Sequence, residues 1–176
     1  RHSYLIGNYL DHGPTIIEVP QTEEVDIVKE ARDYFYYRPQ GVRSWGGPGR
    51  PASGLKEVNQ YTYPPWWNKT GVLMIQIESL NAINNIPNFS IEGVDCFSWG
   101  PTDLSIDRAA HPEHPFAKTD DTAIGHASSL CKANGKKLCI RSSDKTLRNR
   151  YFDLGADILI EVPWLEGKLD PNLPYG

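Results

Sequence analysis

Val72-Leu73-Met74-Ile75-Gln76-Ile77-Glu78 is an apolar run of strand length whose last residues turn abruptly polar and acidic. A strand buried on both faces of a parallel sheet reads this way, as continuous apolar sequence rather than alternation. Val94 to Trp99 repeats the pattern and then breaks into Gly100-Pro101-Thr102-Asp103-Leu104-Ser105-Ile106. Each run thus delivers a carboxylate, Glu78 or Asp103, to the mouth of a sheet.

The same punctuation extends outward in both directions. Thr15 to Val19 is β-branched and stops at Pro20. Lys137 to Arg141 and Asp157 to Val162 read as two further strands. Helical patterns lie between them. Leu5 to Gly13 reads as the end of one helix, and Thr22 is expected to cap the next, with Glu23 and Glu24 in its first turn and Val25, Val28 and Ala31 on one face. Another runs from about Asp120 to Asn134, where Asn134-Gly135 is a good helix end. Ser143 is expected to cap a last helix that reaches Leu154 and stops at Gly155. Residues 36–71, rich in Tyr, Pro, Gly and Trp, carry no such pattern and predict a long loop, functional or ordered by packing. Strands alternating with helices predict an α/β chain of five βα units on a parallel sheet, forming one domain over residues 1–176.

Composition narrows the function. The 176 residues suffice for a real core, and no apolar stretch is long enough to span a bilayer. A net charge of −4 provides no broad basic field, which argues against nucleic acid as a partner. Cys96, Cys131 and Cys139 are an odd count without metal-like spacing and predict reduced thiols in a cytoplasmic protein. Asn68-Lys69-Thr70 and Asn88-Phe89-Ser90 match the glycosylation acceptor pattern, a triplet that recurs by chance. The chain opens on Arg1 with a helix already ending, so it reads as cut at its start.

In parallel βα arrays the chemistry gathers at the C-terminal ends of the strands. Neighbouring strands lie about 4.8 Å apart, so Glu78 and Asp103 are placed to share one ion. Oxygen ligation by two carboxylates suits a hard divalent cation such as Mg²⁺ or Mn²⁺, with water or substrate oxygens completing the shell. Taken singly, each acid is as readily a helix cap or a solvated surface group. Gly100 permits close approach to the backbone, and Pro101 fixes the turn. The N–H groups of Thr102 and Asp103 then offer a seat for a carboxylate at a helix start. Gln76 shares a strand face with Glu78 and can donate into the same space. A small 2-oxo acid satisfies all of these groups.

Gln76-Ile77-Glu78, Gly93-Val94-Asp95 and Gly100-Pro101-Thr102-Asp103-Leu104-Ser105 follow Leu10-Asp11-His12-Gly13 and Tyr37-Arg38-Pro39-Gln40-Gly41-Val42-Arg43 in order. Over roughly residues 5 to 162 the chain resembles the HpcH/HpaI family of class II, metal-dependent, 2-oxo-acid aldolases. The resemblance implies a TIM (β/α)8 barrel, of which this chain would hold the fourth to eighth strands. It implies a lyase that forms or cleaves a C–C bond next to pyruvate in a 4-hydroxy-2-oxo acid, and a homo-oligomer in the full-length form. Glu78 and Asp103 resemble the ligands of a divalent cation (Mg²⁺, Mn²⁺ or Co²⁺). Gln76, Thr102 and Asp103 resemble the groups that hold the pyruvate part. Asp11 resembles an acid that tunes the family's catalytic histidine.

The chain departs from that pattern in places. The family's catalytic histidine and an enolate-stabilising arginine fall before Arg1. A terminal helix is replaced by a segment containing Pro163, Pro171 and Pro174. Trp99 and Arg141 stand where the family tends to have aliphatic residues. Arg141, at a strand end, either faces the site and binds a substrate carboxylate or is a surface arginine. His2, His12, His111 and His114 are available as bases, though none sits in a motif, and an isolated loop histidine is usually solvated. Arg43 and Arg50 either hold an acidic substrate or stack on nearby rings, stacking being the simpler expectation. Trp66 and Trp67 are expected to pack. Two other readings remain open: a binding remnant without turnover, and a citrate-lyase-type enzyme acting on a CoA ester.

Overall fold

The computed structural model describes residues 4–47 and 54–161. In chain order these form α1 (Tyr4–Leu10), β1 (Ile16–Val19), α2 (Val25–Phe35), α3 (Tyr63–Thr70), β2 (Val72–Ile77), α4 (Leu80–Phe89) and β3 (Cys96–Trp99). Then come α5 (Pro101–Ala110), α6 (Asp120–Ala133), β4 (Lys137–Ser142), a 3₁₀ turn (Lys145–Leu147), α7 (Arg148–Asp153) and β5 (Ile158–Glu161). The strands form a single sheet in the order β1-β2-β3-β4-β5, every pair parallel. This is the five-stranded parallel sheet that alternating strands and helices predict, and the partial barrel that the resemblance implies. His2, Arg50, Val162 and the proline-rich end lie outside the described residues.

One face of the sheet carries the main core. Leu73, Ile75, Ile77, Phe97, Leu138 and Ile140 pack against Val28 and Phe35 of α2, Ile83 and Ile86 of α4, and Ile124 and Ala127 of α6, all buried. The opposite face holds a small cluster of Met74, Cys96 and Cys139 against Val72. Because both faces are covered at the sheet centre, the strands read as apolar runs. The edge strands differ: Ile16 of β1 and Ile158 and Ile160 of β5 remain exposed.

The sheet curls. The Arg141 Nη2 of β4 lies 2.8 Å from the Glu18 Oε2 of β1. Three strand spacings of a flat sheet would put these positions about 14 Å apart with their side chains upright. Their contact makes the Met74–Cys96–Cys139 face concave.

Three local expectations are corrected. Thr22 does not cap α2: its hydroxyl donates to the Val19 carbonyl at 3.3 Å, turning the chain after β1, and the N-cap is Glu24. Ser143 does not cap α7. Asp144 does the capping, accepting the Thr146 N–H at 2.8 Å to start the 3₁₀ turn, and α7 begins only at Arg148. Residues 36–71 are not without regular structure, since Tyr63–Thr70 form α3 with prolines in its first turn, where no N–H is missed. Tyr63 and Trp67 are buried there, and the Trp67 indole donates to the Phe35 carbonyl at 2.9 Å. The two tryptophans pack, as expected. Asn68 clasps the backbone of Tyr37, accepting from its N–H and donating to its carbonyl, both at 2.9 Å.

Among the described residues no helix is long and apolar enough to cross a membrane. Cys96, Cys131 and Cys139 are buried free thiols.

Candidate active site

β2 and β3 end side by side. Ile77 pairs with Trp99, and the Gly100 N–H donates to the Ile77 carbonyl at 2.9 Å, so both chains leave the sheet at one level. The residue after β2 is Glu78. Ser79 follows as the N-cap of α4, its hydroxyl accepting from the Ala82 N–H at 2.9 Å. Asp107 of α5 accepts the Leu80 N–H at 2.7 Å. Ser79 and Asp107 thus cap α4, and Glu78 is not among the groups that do so.

Gly100 is the N-cap of α5 and offers no side chain to its first turn. The early N–H groups of that helix, those of Thr102 and Asp103, have no intrahelical acceptors to reach. A Cβ at Gly100 would stand 2.7 Å from the Glu78 Cβ and 3.0 Å from the Gln76 Nε2, so only glycine lets these strand ends meet. The 290 Å³ hollow above them is lined by Gln76, Trp99, Gly100, Pro101, Thr102, Asp103, Arg141 and Ser143. The Trp99 indole N–H is buried in the main core and makes no hydrogen bond.

Glu78 is buried. Burial pushes its carboxyl above the usual range, an N–H bond from Gln21 opposes this, and the charges of Asp103 and Glu18 push further in the same direction. Gln21 makes that bond to the Glu78 Oε1 from a left-handed backbone (φ 51°), which a non-glycine residue seldom adopts. Asp103 itself is exposed at the rim.

Gln76, Thr102, Asp103 and Arg141 thus come together, with Glu78 in contact behind Gly100. Asp11 stands apart from that lining. Its Oδ1 accepts from the Arg43 Nη2 at 2.8 Å, and the Arg43 guanidinium lies 4.8 Å from the Tyr37 ring and 4.3 Å from the Trp67 ring. Arg43 stacks, as expected, and it is buried. No histidine lines the hollow among the described residues. His12 and His111 are exposed, and His114 and His126 flank Phe116. Nor is there, among those residues, a group of three or more His, Cys, Asp or Glu side chains that could hold a metal ion. A cation here would take two carboxylates from this chain. A buried Glu78 whose carboxyl is pushed upward beside Asp103 fits that demand, because a divalent ion would offset both charges.

Glu18 was not anticipated as a site residue. The signal was present: a lone acid inside the otherwise apolar run Ile16-Ile17-Glu18-Val19.

A curled sheet of parallel βα units with polar groups at its C-terminal mouth defines a member of the TIM-barrel class. The model of the HpcH/HpaI aldolase/citrate lyase family matches residues 2–158, and the chain belongs to that family. It is 32% identical over 154 residues to the 4-hydroxy-2-oxo-heptane-1,7-dioate aldolase of Escherichia coli, covering 86% of this chain and 57% of that protein. The enzyme of the same name from Salmonella arizonae is 30% identical over the same extent. The chain therefore spans little more than half the length of these relatives. In three dimensions it is similar to an HpcH/HpaI aldolase from Desulfitobacterium hafniense, with a TM-score of 0.76 at 23% identity, covering 92% of this chain and 62% of that one. It is also similar to the citrate synthase SbnG, with a TM-score of 0.71 at 21% identity, covering 88% and 58%.

Proposed function

We propose that this chain carries the oxo-acid-binding and metal-binding half of an aldolase centre that cleaves a 4-hydroxy-2-oxo acid to pyruvate and an aldehyde. The observation that carries the reading is the junction of Gln76, Glu78 and Gly100, closed to van der Waals contact, with Asp103 one helical turn away. The names of the relatives support the reaction class.

Glu78 and Asp103 are the groups that would hold a divalent cation, Mg²⁺, Mn²⁺ or Co²⁺. Bound there, the ion supplies Lewis-acid polarisation of a keto oxygen. The rest falls to the chain itself. The Thr102 and Asp103 N–H groups at the start of α5 hold the carboxylate of the oxo acid, where the helix dipole favours negative charge. Gln76 donates to an oxygen of the same fragment and orients it. Asp11, engaged by Arg43, keeps the expected part of tuning a histidine supplied from elsewhere.

The assay is pyruvate release from a 4-hydroxy-2-oxo acid with Mn²⁺ or Mg²⁺, run on the wild type and on Asp103→Ala. Metal-dependent release lost in the variant supports the reading; absence of release from the wild type overturns turnover by this chain. A second reading is binding of metal and oxo acid without turnover, by the same Glu78, Asp103, Gln76 and Thr102 groups. Metal-dependent pyruvate binding without release would establish that reading instead.

A further inference from the structure

Glu18 and Arg141 form an ion pair that the barrel does not require. Their strands, β1 and β4, are not neighbours in the sheet. The concave face below them is lined by Met74, Cys96 and Cys139, which have no use for charge. The pair is also poorly built for stability. The Arg141 side chain is 58% exposed, and the second Glu18 oxygen, Oε1, is buried without a hydrogen bond. A partly solvated pair with an unsatisfied carboxylate oxygen contributes little to folding. What it does is fix one guanidinium in place.

That guanidinium is the only cation lining the hollow among the described residues, which otherwise presents Asp103, Gln76 and Thr102, with Glu78 behind. Glu18 engages one N–H of Nη2, leaving the remaining donors of the planar fork for a second anion. The place of Arg141 follows from register. Gln76 belongs to β2 and the α5 start follows β3, while Arg141 lies one residue past Ile140, the partner of Trp99, on β4. A ligand whose oxo-acid end rests on Gln76 and the first turn of α5 meets Arg141 with its other end.

We propose that Arg141, fixed by Glu18, is the specificity residue for the far end of the substrate and selects an aldehyde half that carries an anionic group such as a carboxylate. This rests on the oxo-acid reading of the hollow. It places no new group on the reacting atoms, since Arg141 acts on binding alone.

Three ligands test it by calorimetry in the presence of Mg²⁺: pyruvate, 2-oxoadipate with a distal carboxylate, and 2-oxohexanoate of equal length with a methyl end. The wild type is expected to bind 2-oxoadipate about tenfold more tightly than 2-oxohexanoate, the scale of one charge-assisted hydrogen bond. In Arg141→Met the ratio of the two affinities falls to about one, whatever happens to pyruvate affinity; Arg141→Lys retains part of the preference. If pyruvate binds but the wild type has no preference, or Arg141→Met keeps it, the proposal is overturned and the oxo-acid reading stands. If pyruvate does not bind, both fall.

Discussion

Gly100 faces Glu78 so closely that a Cβ on the glycine would lie 2.7 Å from the glutamate's own Cβ. Two backbones are thereby locked together at the point where two strands release their chains. The glycine's φ of −103° is open to any residue, so the constraint is space and not backbone conformation. Gly100→Ala is expected to push Glu78 and Gln76 outward and to destabilise by about 1–3 kcal/mol, as overpacking does. Thermal unfolding measures the stability cost. Pyruvate binding should weaken more than the loss of stability alone would produce, because the displaced side chains are the ones that form the site.

Glu78 should prove costly to the fold it sits in. Burial and the neighbouring carboxylates hold its carboxyl above the usual range, so the ionised form is disfavoured in the folded state. Glu78→Gln keeps an oxygen for the Gln21 N–H and removes the charge. The variant is expected to be more stable than the wild type by about 1 kcal/mol without metal, as for other uncompensated buried charges. Its Mn²⁺ affinity should fall at least about tenfold, the effect of losing one of two charged ligands. Urea denaturation and Mn²⁺ titration give the two numbers. A variant that lost stability and kept its metal affinity would remove Glu78 from the site.

The three thiols should be silent in the native protein. Burial pushes Cys96 and Cys131 up to about 12 and Cys139 up to about 11. Alkylation needs the thiolate, so iodoacetamide at pH 8 should label none of them until denaturant is added. The linkage has a definite sign. In the unfolded chain thiols ionise near about 8.5, whereas the folded ones hold their protons to higher pH. The thiols' contribution to stability is therefore complete below that value and is lost above it, by up to about 1.4 kcal/mol per thiol per pH unit. Urea midpoints at pH 7 and pH 10 test this; equal midpoints in the wild type would contradict it.

Much of this architecture was legible because parallel strands buried on both faces announce themselves as apolar runs. Val72–Glu78 and Val94–Trp99 carried strand, face and terminal acid in one reading, and the Gly-Pro step located the start of α5. The helix starts were harder. Thr22 and Ser143 are good caps by type, but the turn leaving β1 takes the Thr22 hydroxyl for the Val19 carbonyl, and Asp144 caps the 3₁₀ turn in place of Ser143. The stretch over 36–71 hid α3 because its stability comes from Tyr63 and Trp67 packing under Phe35, not from helix propensity. The Glu18–Arg141 pair was out of reach for a different reason. It spans |i−j| = 123 in sequence, and only the curl of the sheet brings its ends together.

Arg43 and Asp11 supply the last prediction. The arginine side chain is fully buried, bonded to Asp11 at 2.8 Å and held against the faces of Tyr37 and Trp67. Two of its nitrogens, Nε and Nη1, have no hydrogen-bond acceptor, so the aromatic faces and one carboxylate carry the charge between them. Arg43→Met keeps the stem in its slot and removes the cation beside Asp11, whose side chain is 29% exposed. Losing a fully buried cation with its one carboxylate bond and two ring contacts is expected to cost about 1–3 kcal/mol, below the figure for a fully buried pair. Arg43→Lys should recover little, since an ammonium cannot lie flat on two rings and reach the carboxylate together. If the two groups are coupled, Arg43→Met/Asp11→Asn should cost less than the sum of the two single changes. Urea denaturation of the four proteins closes the cycle. If the two single costs simply added in the double variant, the pair would not be coupled, and the cation's role would be stacking alone.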